Sequence, residues 1–156
     1  MHRPRTGAPA RRIVLLSGPS GSGKGRLAEH SGLPVLNLDD FYRDGDEEGL
    51  PSAFGIVDWD DPASWRAGDA LAALETLCYE GAVEVPTYSI SQSRRTGTRI
   101  FSAEESPLVI AEGIFAAELV TSLAERGLLA DAIVLDRPAA LVFALRFVRD
   151  VRQARK

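Results

Sequence analysis

Residues 18–25 read Gly18, Pro19, Ser20, Gly21, Ser22, Gly23, Lys24 and Gly25, and they follow, after Ser17, the apolar run Ile13-Val14-Leu15-Leu16. The spacing is that of G-x-x-x-x-G-K-[ST], a sequence whose chemistry is anion binding. Its glycines let the backbone wrap an anion without Cβ clashes, so that successive amides point at phosphate oxygens. Lys24 has the reach to meet the β- and γ-phosphates, and a helix opening at Arg26 would aim its positive end at the same ligand. Of the 18 basic residues only Lys24 and Lys156 are lysine. A chain that otherwise writes arginine has placed a compact ammonium here. The last position departs from the pattern. Gly25 stands where a Ser or Thr hydroxyl would meet Mg²⁺, so nucleotide binding is implied while the metal site is left one ligand short.

Carboxylates at strand ends are the second resource. Asp39 follows the short apolar stretch Val35-Leu36-Asn37-Leu38, and Glu112 follows Leu108-Val109-Ile110-Ala111. In open α/β sheets ligands bind at the carboxyl ends of strands, where such acids can orient an attacking hydroxyl or take a place around a metal. The alternative for each is a solvated carboxylate. Arg146, Arg149, Arg152 and Arg155 recur every three residues and make one basic stripe, either a solvated face or a lid of guanidiniums over phosphates. Asp44, Asp46, Glu47 and Glu48 read as solvent-exposed loop acids. His2 and His30 lack companions for metal or acid–base work. Cys78 falls on an apolar helix face, a core position rather than a nucleophile.

The elements that must hold these groups alternate between apolar runs and helical periodicity, the pattern of βαβ units and a parallel sheet. A first strand is expected over residues 12–17, then the phosphate loop and a helix of about two turns ending near Gly32. A second strand covers residues 35–38. Residues 43–61 are acidic, glycine-containing and aperiodic, which implies a long surface loop. Asp61-Pro62 has the form of a helix cap, and the main helix is expected from near Asp69 to Gly81, with Ala70, Leu71, Leu74, Leu77 and Cys78 as its apolar stripe. Residues 82–88 and 98–101 would form a hairpin standing off the main sheet, with Arg94 and Arg95 in its polar turn. A buried strand at 108–111, a helix at 115–126, a strand at 132–135 and a final helix opened by Pro138 complete the chain.

At 156 residues the chain is long enough for one domain with a full core. Residues 1–11 read as a disordered tail and 12–156 as the domain. A net charge of −4 argues against broad attraction to nucleic acid or anionic membrane, and one cysteine excludes an internal disulfide and a cysteine-based zinc site. No run reaches the length of a membrane span and no signal-like segment opens the chain, so the cytoplasm is the expected location.

With these residues assembled, the chain resembles uridine kinases, within the nucleoside and nucleotide kinases of the P-loop proteins. The likeness runs from Arg12 to Lys156. It rests on the phosphate loop, Leu38-Asp39-Asp40-Phe41-Tyr42, Asp58-Trp59-Asp60-Asp61-Pro62, Val85-Pro86-Thr87-Tyr88 with Ser93-Arg94, Glu112-Gly113-Ile114-Phe115, and Arg146-x-x-Arg149-Asp150. The resemblance implies a three-layer P-loop NTPase fold, a parallel sheet flanked by helices, with a small hairpin and lid region. It implies ATP and Mg²⁺ as cofactors and phosphoryl transfer to the hydroxyl of a uridine- or cytidine-like nucleoside or a related small metabolite. By position, Asp39 matches the acid that activates the acceptor hydroxyl, and Tyr42 lies against the nucleoside. Asp60 matches the acid that holds the ribose hydroxyls, and Tyr88 an aromatic residue beside the base. Glu112 matches an acid near Mg²⁺, and Arg146 and Arg149 match lid arginines on the donor phosphates. Gln92 is the nearest polar residue to where the family carries a base-reading histidine, and Arg94 completes the expected acceptor set. The family continues past the lid with further strand and helix, so the resemblance leaves two readings, a chain shortened at its C-terminus or a loosely anchored lid. A homo-oligomer stays open. The alternative is a non-catalytic or impaired nucleotide-binding protein, because Gly25 supplies no metal ligand.

Overall fold

The computed structural model describes residues 5–136. The expected final helix, with Arg146 and Arg149, lies outside the described residues. Four parallel strands form the central sheet: β1 (Arg12–Ser17), β2 (Val35–Asn37), β7 (Leu108–Gly113) and β8 (Leu129–Val134). Their order is β2-β7-β1-β8. From β1 the chain moves out to β2, returns to β7, then crosses β1 to reach β8. That reversal puts the loop after β1 at the crevice where ligands bind in such sheets. Register aligns the site: Leu16 pairs with Glu112 and Ser17 with Gly113 across β1 and β7, and Asn37 pairs with Glu112 across β2 and β7.

Alternation along β1 divides the core between two faces. Ile13 and Leu15 face α2 (Ala67–Glu80) and α3 (Val120–Glu125), in a cluster with Leu36, Leu74, Leu77, Leu119 and Leu123. Val14 and Leu16 face the other way, toward Ala28 of α1 (Lys24–His30) and Ile110. Around β1 and β7 the sheet is therefore covered on both faces, which is why these two strands read as apolar runs, while β8 at the edge is largely exposed among the described residues. The three-layer architecture implied by the sequence is the one observed.

Helix α2 starts two residues earlier than expected and closes at Gly81, as expected. Its apolar stripe is buried, with Leu74, Leu77 and Cys78 fully so. Besides the Gly81 amide, which caps the Leu77 carbonyl at 2.9 Å, the carbonyls of its last turn meet the preceding segment. Arg11 Nη1 donates to the carbonyls of Leu77 at 2.6 Å and Cys78 at 3.3 Å, and the Ala10 amide donates to Cys78 at 3.0 Å. Arg11 is buried, and Arg5 meets Glu80 at 2.9 Å. Within the stretch read as a tail, Arg5, Ala10 and Arg11 are tied to α2, where a guanidinium can reach several helix carbonyls at once.

The hairpin forms its own sheet of β5 (Ala82–Ser89) and β6 (Arg94–Ser102), apart from the main one. It is longer than expected, so Arg94 and Arg95 lie in β6 and the turn is residues 90–93. The long loop 43–61 carries a short ribbon, β3 (Ser52–Ala53) and β4 (Ile56–Val57). Of its acids, Asp46 and Glu48 are exposed as expected, while Asp44 and Glu47 are engaged. Glu47 binds Arg43 and Arg66, the Asp44 carboxylate accepts from the Arg95 amide at 2.7 Å, and the Gly45 amide donates to Ser93 at 2.7 Å. These contacts dock the loop on the hairpin. The expected helix at 115–126 is a 3₁₀ turn (Ala116–Leu119) followed by α3, and β8 begins three residues before the sequence placed it. Among the described residues no helix is long and apolar enough to cross a membrane.

Candidate functional site

The phosphate loop is built as its composition requires. Gly21 has φ 83 and Gly23 φ 92, left-handed values that turn the backbone inward before α1 begins at Lys24. The Ser22 amide closes a tight turn onto the Pro19 carbonyl at 3.1 Å, and the first intrahelical bond is Leu27 N–H to Gly23 O at 3.1 Å. The amides ahead of Leu27 in the first turn have no intrahelical acceptor by construction, which leaves donors for an anion. Ser22 is fully buried, and its hydroxyl has no hydrogen-bond partner among the described residues. That unpartnered donor fits a phosphate-binding loop. Gly25 faces open space: a Cβ built there meets nothing within 4 Å. The missing hydroxyl is a matter of side-chain identity, not of room.

Lys24 is buried, and its ammonium acts on both strand-end carboxylates. Asp39 sits in the 3₁₀ turn Leu38–Phe41 that follows β2, where Asn37 accepts from the Asp39 amide at 3.0 Å and fixes the turn. Its Oδ1 accepts from the Ile114 amide at 3.3 Å. Gly113 makes this approach feasible, since a Cβ there would lie 2.9 Å from Asp39 Oδ1. Burial raises the Asp39 carboxyl above the usual carboxylate range, against the pull of Lys24 and the Ile114 amide. Glu112 is likewise raised by burial, pulled back by Lys24 and pushed up further by Asp39 and Asp40. Asp40 is raised by burial and held back by Arg99 and the Tyr88 amide. Three carboxyls thus share this corner of the site, two of them under the pull of Lys24 and one under that of Arg99, a field in which a divalent cation would be welcome. Among the described residues no three such groups are arranged to cage a metal. That is compatible with Mg²⁺, which is usually held by one or two carboxylates, phosphates and water. Glu112 and Asp39 have the chemistry to supply the carboxylates.

Beside this cluster lies a cavity of about 260 Å³. Ser20 of the phosphate loop and Asp39 are both in its wall, together with Tyr42, Asp60 and Tyr88. The two tyrosines are fixed at their tips: Tyr42 OH donates to the Trp59 carbonyl at 3.4 Å, and Tyr88 OH donates to the Arg43 carbonyl at 2.9 Å. Around Tyr42 the aromatic rings pack closely, with Trp59 at 5.6 Å edge-on and Tyr88 at 5.9 Å. Burial also raises the Tyr42 phenol, which stays protonated at any physiological pH. Such an aromatic wall with a few polar groups is typical of small-ligand pockets.

Most of the residues singled out for the acceptor therefore gather in one place, next to the phosphate loop. Gln92 and Arg94 do not. They line a neighbouring cavity of about 650 Å³ with Asp44 and Asp46. Four lining residues were not anticipated: Trp59, Ile90, Ser93 and Ile114. Trp59, Ser93 and Ile114 lie inside motifs that the sequence did mark out. Ile90 carried no signal, being an apolar residue in a turn, and it is largely exposed.

Comparison with known proteins sets this geometry among relatives. No family model matches the chain. The uridine kinase of Tolumonas auensis is 30% identical over 153 residues, which are 90% of this chain and 69% of that protein. The uridine kinase of Lactobacillus helveticus is 26% identical over 150 residues, 90% of this chain and 68% of that protein. Among solved structures, one from Silicibacter sp. TM1040 named as a fructose transport system kinase aligns with a TM-score of 0.66 and 20% identity, over 98% of this chain and 77% of that one. At that identity the structural match speaks for the fold alone.

Proposed function

The chain belongs to the uridine kinase family, and from that premise we propose that it transfers the γ-phosphoryl group of ATP to the hydroxyl of a nucleoside or a closely related small metabolite. One observation carries the proposal: Ser20 of the phosphate loop and the Asp39 carboxylate share the wall of a single ligand-sized cavity. Donor and acceptor can then meet without a large rearrangement, which is the main requirement of a reaction with a loose transition state. The amides of residues 18–25 and Lys24 hold the triphosphate, and Arg146 and Arg149 are assigned to its phosphates by the resemblance alone. Asp39 accepts a hydrogen bond from the attacking hydroxyl and takes its proton as the new O–P bond forms and the bond between the γ-phosphorus and the β,γ-bridging oxygen breaks, with ADP leaving. Asp60, at the exposed rim, can accept from two neighbouring hydroxyls, which would select ribose over deoxyribose. Tyr42 and Tyr88 pack against the flat part of the acceptor. Mg²⁺, when bound, would neutralise developing charge on the phosphates, with Glu112 and Asp39 as its protein-side carboxylates.

A second reading has its own support, the side chain missing at Gly25. The loop would then hold nucleotide while metal-dependent turnover is weak or absent. A screen of uridine, cytidine, pantothenate and simple sugars at varied Mg²⁺, with ADP release as readout, separates the two. Transfer to a nucleoside is the expected result. ATP binding with no acceptor turned over would contradict the kinase proposal and favour the second reading.

A further inference from the structure

The two cavities beside the catalytic carboxylate are not independent, because Trp59 and Ser93 stand in the walls of both. Ser93 has an unusual backbone for a serine. With φ 49 it is one of two non-glycine residues in the left-handed region among the described residues. It closes the turn between β5 and β6, its amide donating to the Ile90 carbonyl at 3.2 Å. Hairpin turns that need a left-handed residue ordinarily take glycine or asparagine there, since a Cβ in this conformation crowds the backbone. Serine retains a hydroxyl at the expense of backbone strain. The protein itself hardly uses that hydroxyl, whose contact with the Ile90 carbonyl is 3.5 Å, at the outer limit of a hydrogen bond. The strained residue is nonetheless held firmly, because its carbonyl accepts from the Gly45 amide at 2.7 Å and so joins the hairpin to the long loop. Strain kept at a cavity wall, in a residue locked from outside, is the pattern of a functional constraint.

We propose that Ser93 is a specificity-determining residue for the acceptor: its hydroxyl hydrogen-bonds a polar group at the end of the acceptor remote from the reacting hydroxyl, where the inner cavity meets the outer one. This rests on the acceptor reading of the inner cavity. The substrate class that follows is an alcohol with a hydrogen-bonding edge distant from its reacting oxygen, as a nucleobase has and a simple sugar lacks.

The test compares wild type, Ser93→Ala and Ser93→Gly with uridine, cytidine, pantothenate and ribose, using the acceptor that wild type turns over fastest. Ser93→Ala removes the hydroxyl and keeps the strain, whereas Ser93→Gly removes both. The expected result is a rise of about tenfold in acceptor KM for both variants, the effect of one lost hydrogen bond, with ATP KM unchanged. Ser93→Gly should also melt no lower than wild type, since its strain is relieved. Acceptor KM within twofold of wild type in the alanine variant would overturn the proposal. So would a KM rise confined to the glycine variant, which would assign the effect to turn stiffness. If wild type turns over none of the four acceptors, the proposed function itself fails and the role of Ser93 falls with it.

Discussion

Substituting Gly113 by alanine tests how tightly the acceptor carboxylate is held. The added Cβ would lie 2.9 Å from Asp39 Oδ1 and 3.1 Å from the Leu38 Cβ. Leu38 is fully buried and has nowhere to go, so the carboxylate must yield. Restoring ordinary van der Waals separation moves Oδ1 by roughly half an ångström and loosens its bond from the Ile114 amide. Misplacement of a reacting group by about 1 Å can cost on the order of a hundredfold in rate, so kcat should fall between about tenfold and a hundredfold. Overpacking of this kind costs about 1–3 kcal/mol, which for a chain of this size lowers Tm by roughly 2–4 °C per kcal/mol. ATP affinity should stay within a few-fold, because the phosphate loop is untouched. ADP release with the preferred acceptor, calorimetric ATP titration and a melting curve measure all three. A variant with wild-type kcat would refute the claim that the Asp39 position depends on this contact, whatever its Tm.

Arg11→Ala removes a buried, charged donor to two carbonyls at the end of α2, which keep the Gly81 and Ala10 amides, and loss of these charge-assisted bonds should destabilise the fold by about 1–3 kcal/mol, read from urea unfolding. Cys78 is buried and its thiol is pushed up to about 11 by burial, so it should resist a thiol reagent at pH 8 and react at once in denaturant. Gly25→Ser places a hydroxyl in open space and should lower the Mg²⁺ concentration needed for half-maximal transfer, without loss of stability.

Much of the fold was legible because periodicity and capping carry it. The central strands β1 and β7 are built on the apolar runs at residues 13–16 and 108–111, and the α2 stripe and its closing Gly81 follow from helical spacing. What escaped is interaction at a distance. Nothing in the sequence near Arg11 announces that its guanidinium will meet carbonyls more than sixty residues away. The loop acids Asp44 and Glu47 look like solvent-facing charge until Arg43, Arg66 and the Arg95 amide are brought to them. At the candidate site, position alone points to residues next to a strand end or a glycine, such as Asp39 and Lys24. Gln92 is only the polar residue nearest in sequence to the position of the family's base-reading histidine. The hairpin instead continues its pairing as far as Ser89 and Arg94, and its turn presents Ile90 and Ser93 to the inner cavity.

Asp39→Asn is the most direct test that one carboxylate orients the acceptor beside an intact nucleotide cradle. The substitution keeps the shape and removes the charge. Transfer should be nearly abolished while calorimetry returns an ATP affinity within a few-fold of wild type. Undiminished transfer in the Asp39→Asn variant would remove this carboxylate from the mechanism, and the proposed route of phosphoryl transfer would fall with it.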